Sequence, residues 1–455
     1  MTSQGPVPDE AAVHAAFARV EAELAARWPE SRLDPTLERI EALVDVLGSP
    51  QRSYPVVHIT GTNGKTSTAR IVDALFQSFG LRTGRSTSPH LASVTERISI
   101  DGDPISPARF VEIYDDIAPY LEMVDAKLPI PLSYFEVLTA MAFVAFADAP
   151  VDVAIVEVGM GGSWDSTNVA DGRVAVVTPV AIDHANYLGD TVEKIATEKA
   201  GIIKPDAVAI LADQQPAAAQ VLLSRAVEVG ATVAREGMEF GIQERRVAID
   251  GQMLSLQGLG GTYDEIFLPL YGAHQAQNAA VALAAVEAFF GAGQDRALVV
   301  ETVREGFAAV TSPGRLEAVR SSPTVLIDAA HNPHGMRATV AALEESFHFR
   351  RLVGVVAMLA DKDVRGMLEV LEPVLDAVVV TENSSHRRMS ADELADAVVD
   401  VFGHDRVTVE PRLDDAIESA VALTEEDADM VGGAGVLVTG SVITAGDARL
   451  LLAGR

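Results

Sequence analysis

The run Thr60-Gly-Thr-Asn-Gly-Lys-Thr-Ser67 constrains this chain more than any other stretch. An apolar β-type segment, Val56-Val57-His58-Ile59, leads into it. A helical pattern of Ala69, Val72, Ala74, Leu75 and Phe79 leads out. Strand, glycine loop and helix in that order make a phosphate cradle. Gly61 and Gly64 let backbone N–H groups approach phosphate oxygens closely, and the helix N-terminus adds a favourable dipole. Lys65 is placed to neutralise β- and γ-phosphates, and the Thr66 hydroxyl to ligate Mg²⁺. The first glycine of the general G-x-x-x-x-G-K-[ST] pattern would fall at position 59, where this chain has Ile59. A chance glycine turn is the competing reading; the flanks and the Gly-Lys-Thr end favour a nucleotide site.

At 455 residues the chain should divide into roughly two or three domains. Its net charge of −30 disfavours nonspecific binding to nucleic acid or anionic membrane, both of which need a positive surface. A polyanionic substrate must therefore meet a locally basic pocket. The absence of cysteine rules out disulfides, thiolate nucleophiles and Cys-type zinc sites. Residues 1–12 are polar and small, without a basic-plus-apolar leader. Ala279–Phe290 is too short to span a bilayer and is interrupted by Glu287. A soluble, cytoplasmic protein is expected.

Helices are expected over 13–28 and 35–47, and after the phosphate loop short apolar runs alternate with helical segments. Val151–Val158, Val174–Val180 and Ala207–Ala212 read as buried strands, with Phe135–Ala147 and Thr191–Ala200 as helices between them. Such alternation argues a parallel α/β sheet. Residues 231–270 read as a small antiparallel excursion. Helices near 274–292 and 297–309 follow. Thr311-Ser-Pro-Gly-Arg315 then breaks the chain, and a second strand–helix alternation runs from Thr324–Ile327 to Val436–Thr439. The expected fold class is α/β. A larger N-terminal P-loop ATPase-like domain with a mainly parallel sheet spans 1–310, and a smaller Rossmann-like α/β domain spans 313–455.

Ligands of open α/β sheets collect outside the carboxyl ends of the strands. There the sequence delivers Glu157, Asp183-His184 and, at a helix end, Lys199. A carboxylate and a neutral imidazole near Thr66 could hold Mg²⁺. Each residue also has an ordinary structural reading: a satisfied carboxylate for Glu157, a helix cap for Asp183, a solvated helix-end cation for Lys199. In the second domain Thr324–Ile327 ends in Asp328-Ala-Ala-His331-Asn332-Pro333-His334, where a carboxylate could accept ribose or base hydrogen bonds. Arg315 could reach a phosphate across the cleft, and Asn278 could read an adenine edge.

The ordered set of motifs resembles the folylpolyglutamate synthase/dihydrofolate synthase family, part of the Mur ligase superfamily. The matching segments are Thr60–Ser67, Thr87-Ser-Pro-His-Leu91, Glu96-Arg97-Ile98, Ser133-Tyr-Phe-Glu136 and Glu157-Val-Gly-Met-Gly-Gly162. Asp183-His184, Glu198-Lys-Ala-Gly-Ile202, His274-Gln275…Asn278, Pro313-Gly-Arg315 and Asp328-Ala-Ala-His-Asn-Pro333 continue the series. The resemblance implies that Gly61, Thr62, Asn63, Gly64, Lys65, Thr66 and Ser67 bind ATP phosphates. It makes Asn278, Arg315 and Asp328 ATP contacts, and Ser88, Glu157 and His184 Mg²⁺ ligands with Thr66. Lys199 matches the lysine that family members carry as a carbamate. Ser133, Phe135 and Asp165 match positions around the pterin-bearing substrate, and His331 would face the reaction centre. Thr66 and Ser163 depart from the family's commoner glycine and arginine.

The implied activity is ATP-dependent joining of L-glutamate to dihydropteroate, a reduced folate or both, through an acyl phosphate. Lys65, His184, Lys199 and His331 would serve the chemistry, and a monomer acting on small molecules is expected. A muramyl-peptide-type ligase and a nucleotide-binding switch are the alternative readings.

Overall fold

The computed structural model describes residues 10–29, 34–293, 296–425 and 433–453. The first sheet is built from β1 (Val56–Thr60), β2 (Thr83–Ser86), β3 (Ile98–Ile100), β4 (Asp103–Pro104), β5 (Val153–Glu157), β6 (Gly172–Val177), β7 (Val208–Leu211) and β8 (Thr232–Arg235). Their order is β4-β3-β2-β5-β1-β6-β7-β8. All neighbours from β2 to β8 pair parallel, and β3 and β4 add an antiparallel edge. Every residue of β1 and β5 is buried, as expected of parallel strands covered on both faces.

One face carries helices Lys65–Ser78 and Ala273–Phe290. The second of these is the Ala-rich stretch; it is buried nearly all round because small side chains let its neighbours approach closely. The opposite face carries helices Glu10–Ala25, Glu38–Val46, Pro107–Asp125 and Tyr134–Asp148. Among the described residues, no helix is long and apolar enough to cross a membrane.

The antiparallel excursion is shorter than the sequence suggested. It consists of β9 (Gly241–Ala248), β10 (Gly251–Gln257) and β11 (Thr262–Leu268). Thr232–Arg235 belongs instead to the large sheet, pairing parallel with β7. The physical reason is helix Pro216–Val229, a crossover that returns the chain alongside β7 and ends at Gly230 with φ 69°.

The second sheet contains β12 (Glu317–Ser321), β13 (Thr324–Ile327), β14 (Arg351–Val356), β15 (Ala377–Val380), β16 (Val407–Val409) and β17 (Ala434–Thr439). Their order is β12-β13-β17-β14-β15-β16, parallel except for the β12 edge. The fold is therefore the α/β architecture expected, with a mainly parallel first sheet and a separate mixed sheet.

A buried ion pair ties the helix after the phosphate loop to the sheet beneath it. Asp73 is fully buried, pairs with Arg85, and accepts from Thr83 Oγ1 at 2.6 Å and Gln77 Nε2 at 2.8 Å. Asp73→Ala would leave the Arg85 guanidinium buried without its counter-charge, a loss of about 3–5 kcal/mol. Calorimetry should show the unfolding transition of this part of the chain shifted to lower temperature; an unchanged trace would reject the anchoring role.

Candidate active site

The phosphate loop is held open by two glycines and pinned to the next strand. Gly61 has φ 146°, and a Cβ there would stand 1.8 Å from Thr178 Oγ1. Gly64 has φ 90°, and its Cβ would stand 2.4 Å from Asn278 Oδ1. Thr62 donates its backbone N–H to Pro179 O at 3.0 Å and its hydroxyl to Ala181 O at 2.9 Å. Lys65 opens the helix, and its Nζ donates to Gly61 O and Thr62 O at 3.1 Å each. Ser67 meets Ser312 across 3.2 Å and accepts from Gln275 Nε2 at 3.3 Å. Gln275 in turn accepts from Asn278 Nδ2 at 3.0 Å, so Asn278 backs the loop through Gly64 and Gln275.

Glu157 ends β5 beside that loop and is only 2% exposed. The Thr66 hydroxyl donates to its two oxygens at 2.9 and 3.0 Å, and Ser88 N–H approaches at 3.4 Å. Burial pushes the carboxyl up, against the pull of Lys65, Thr66 and Arg315. A buried carboxylate sharing a hydroxyl at the end of a phosphate loop fits a hard cation that takes few protein ligands and leans on phosphate oxygens. Among the described residues, no group of three or more His, Asp or Glu side chains is arranged to hold a metal. The His184 imidazole lies 3.9 Å from the Asp183 carboxylate.

Asp183 is where the two sheets' domains meet. Its carboxylate accepts from Lys362 Nζ at 2.8 Å and from Asn332 Nδ2 at 3.0 Å, both from the second domain. His331 Nε2 lies 3.8 Å away, with its Nδ1 3.0 Å from Ala329 O. Burial would raise this carboxyl, but His184, Lys362 and His331 outweigh it and hold Asp183 well below the usual range. Burial pushes the imidazoles of His184 and His331 down to about 4, so both are neutral at physiological pH. Asn63 of the phosphate loop reaches the same domain, pairing with Asn332 and meeting His334 Nδ1 at 2.9 Å. The loop and the second domain are thus directly coupled.

Lys199 is no solvated helix-end cation. It is 4% exposed and donates to Gly61 O at 2.7 Å. Burial and the charge of Lys65 push its amine down to about 7, against Asp183 and Asp165. Asp165 is buried behind it, accepting from Met160 N, Thr167 N and the Thr167 hydroxyl. Phe135 packs over Gly159, where a Cβ would stand 2.5 Å from its ring. Ser133 is the N-cap of helix Tyr134–Asp148 in a capping box with Glu136. Ser163 bonds the Glu198 carbonyl through both its N–H, at 2.9 Å, and its hydroxyl, at 3.0 Å.

The carboxylate of Asp328 is occupied by the protein itself. It accepts from Leu316 N, Ala330 N and the Thr339 hydroxyl at 2.9, 2.9 and 2.7 Å, and so braces the turn that carries Arg315.

Lys362 escaped the sequence reading. Its signal was the polar run Asp361-Lys-Asp363 soon after β14, a strand end of the kind that collected the other site residues. Gln275 was quoted there without a role, although it connects Asn278 to Ser67.

The Mur ligase middle domain family matches residues 59–286, and the Mur ligase glutamate ligase domain family matches residues 314–442. The dihydrofolate synthase/folylpolyglutamate synthase of Mycobacterium tuberculosis is 56% identical, covering 98% of this chain and 95% of that protein. A solved Mycobacterium tuberculosis folylpolyglutamate synthase complexed with ADP and AMPPCP superposes with a TM-score of 0.93 at 55% identity, covering 97% of this chain and 99% of the other. An Escherichia coli structure in complex with DHPP and ADP gives 0.83 at 30% identity, covering 96% and 98%. On the strength of that near-complete identity span, the chain belongs to the dihydrofolate synthase/folylpolyglutamate synthase family.

Proposed function

We propose that this protein is an ATP-dependent ligase that joins L-glutamate to a pterin-bearing acid, either dihydropteroate or a reduced folate. The observation that carries the reading is the coupling of the phosphate loop to both domains. Asn63 bonds Asn332, while Asp183 bonds Lys362 and Asn332, so a nucleotide on the loop lies in a cleft that two domains close. The domain division into 1–310 and 313–455 belongs to the same proposal, as do cytoplasmic location and a monomeric state.

In this reading Gly61–Ser67 cradle the ATP phosphates, Lys65 turns from the loop carbonyls to the β- and γ-phosphates, and Asn278 and Arg315 hold the nucleotide from either side. Thr66, Ser88, Glu157, His184 and, as a carbamate, Lys199 would hold Mg²⁺, which when bound would neutralise charge on the transferring phosphoryl group. Asp328 serves by positioning Arg315. Ser133, Phe135 and Asp165 border the pterin side.

The substrate carboxylate attacks the γ-phosphorus, ADP leaves, and an acyl phosphate forms. The amine of glutamate then attacks the acyl carbon, phosphate leaves, and the amine gives up a proton. Neutral His331 and His184 stand at the interdomain cluster, where either could accept that proton. Closing the cleft keeps water from the acyl phosphate. Lys199, buried and close to neutral, is suited to carry a carbamate: its nitrogen lone pair adds to CO₂ and an N–H proton departs, turning a cation into an anionic ligand.

The test is phosphate release by the purified chain with ATP and Mg²⁺, with glutamate and pterin acid supplied separately and together. Release matched by amide product only when both are present is expected. Slow hydrolysis indifferent to both would reject the ligase reading.

A further inference from the structure

Buried parallel strands are ordinarily apolar throughout, yet β1 carries a fully buried histidine, His58, three residues before the phosphate loop's Gly61. His58 and Thr60 alternate onto one face of the sheet. Thr60 donates its hydroxyl to Gly161 O at 2.8 Å, and His58 Nε2 lies 2.9 Å from Thr167 Oγ1. Both partners belong to the segment that follows β5. Thr167 Oγ1 in turn lies 2.5 Å from Asp165 Oδ1. The direction of this chain follows from counting protons. Asp165 accepts from Met160 N and Thr167 N at 2.9 and 3.0 Å, and a carboxylate has only acceptors to offer. The single hydroxyl proton of Thr167 therefore goes to Asp165, and His58 must donate from Nε2. Its Nδ1 is then a bare lone pair, and Nδ1 is a buried atom with no partner among the described residues. An unfilled acceptor is better tolerated there than an orphaned N–H. Burial, with the charge of Lys204, pushes the imidazole down to about 3, so it stays neutral with one N–H.

We propose that His58 is a positioning residue for the pterin-bearing acid: through Thr167 it holds the Asp165 carboxylate at the border of that substrate's site. The inference rests on the ligase reading above, in which Asp165 and Phe135 border the pterin side. The backbone of this segment is secured without His58. Asp165 caps the short helix Ser166–Val169, and Thr139 Oγ1 joins it to helix Tyr134–Asp148, donating to Phe135 O and meeting Ser166 Oγ at 2.9 Å each. What His58 adds is the direction of one hydroxyl. With Nε2–H filling an oxygen lone pair, the Thr167 proton is aimed at Asp165, and linked hydrogen bonds of this kind strengthen one another in a dry interior. Without that donor the hydroxyl can turn away, and the carboxylate loses its shortest bond. The strand that leads into the phosphate loop thus also sets a group on the acid's side of the site.

The experiment compares full-length wild type with His58→Leu, His58→Gln, Thr167→Val and the double variant His58→Leu/Thr167→Val. The pterin acid is dihydropteroate or tetrahydrofolate, whichever the wild type ligates. His58→Leu removes the donor at similar volume and should raise the KM for the pterin acid about 10-fold, with the KM for ATP and for glutamate within about twofold. His58→Gln, whose amide can place an N–H where Nε2 stood, should return the pterin KM to within about threefold of wild type. Thr167→Val cuts the same chain at its middle and should match His58→Leu, and the double variant should be no worse than the poorer single one. A pterin KM unchanged in His58→Leu overturns the proposal, as does a rise shared equally by all three substrates, which a merely structural histidine would give. Fully additive effects in the double variant overturn it too. Should His58→Leu fold poorly, Thr167→Val decides alone: an unchanged pterin KM there overturns the relay. Wild type that ligates no glutamate at all is a different result, which sinks the ligase reading itself.

Discussion

Lys199→Ala is expected to lower ligase activity by about 10³-fold or more, and added formate or acetate is expected to restore part of it. The reasoning begins with position. Lys199 lies on the last turn of helix Val192–Ala200, yet it is buried and bonds the carbonyl of Gly61 inside the phosphate loop. A permanent ammonium there would stand near Lys65 and repel any divalent cation brought by the nucleotide. The same surroundings push its amine down to about 7, so a large share is the neutral form that reacts with CO₂. As a carbamate the side chain becomes an anion of the kind a hard cation prefers. Alanine leaves a space that a small carboxylate can enter, which is why rescue separates this role from simple support of the loop. Full activity in the variant rejects any role for the side chain. Loss without rescue, at native ATP affinity, rejects the carbamate.

The parts of the fold that were legible in the sequence share one property: their burial is local and continuous. β1, β5, β6, β13, β15 and β17 are apolar runs covered on both faces, so their character shows without knowledge of their neighbours. Elements whose character depends on a distant partner were not read. β2 contains Gly84 and Arg85, and only the Asp73 pair and the ring of Phe146 over Gly84 make sense of them. β12 is an exposed antiparallel edge with the pattern of a loop, and helix Val442–Ala453 begins directly after a strand. β8 was assigned to the wrong sheet because four residues carry no signal for parallel or antiparallel pairing.

The site divides along similar lines. Gly61, Gly64 and Lys65 were recognisable because loop chemistry demands those residue types at fixed spacing. Glu157 and Asp183 were found from strand-end position, and the structure brings both to the loop's neighbourhood. Lys362 carried no spacing rule at all: it matters through a carboxylate 179 positions away. Asp183 also shows how an ordinary reading can be incomplete: its Oδ1 does accept the His184 N–H at 2.8 Å, as a cap would, while the same carboxylate joins the domains.

Gly61→Ala is expected to raise the KM for ATP by more than about 100-fold and to reduce turnover with it. Backbone conformation alone does not explain so large an effect. Gly80, at φ 78°, also has a left-handed backbone, but a Cβ there would meet nothing within 4 Å. Gly80→Ala should therefore cost only about 1 kcal/mol of strain and leave nucleotide binding intact. At Gly61 the added carbon would stand 1.8 Å from Thr178 Oγ1 and 2.9 Å from the Thr178 carbonyl oxygen. A hydroxyl can rotate, but the Thr178 backbone is fixed by its N–H bond to Thr60 O at 2.8 Å, so the loop has to move instead. That movement would break three contacts at once: the carbonyl of Gly61 accepts from Lys65 Nζ and from Lys199 Nζ, and the adjoining Thr62 is bonded to Pro179. The phosphate cradle, its lysine and the buried amine would all lose their register together. Isothermal titration with ADP, run on Gly61→Ala and Gly80→Ala side by side, reads the difference directly. Equal affinities in the two variants would mean that the contact with Thr178 does not shape the loop.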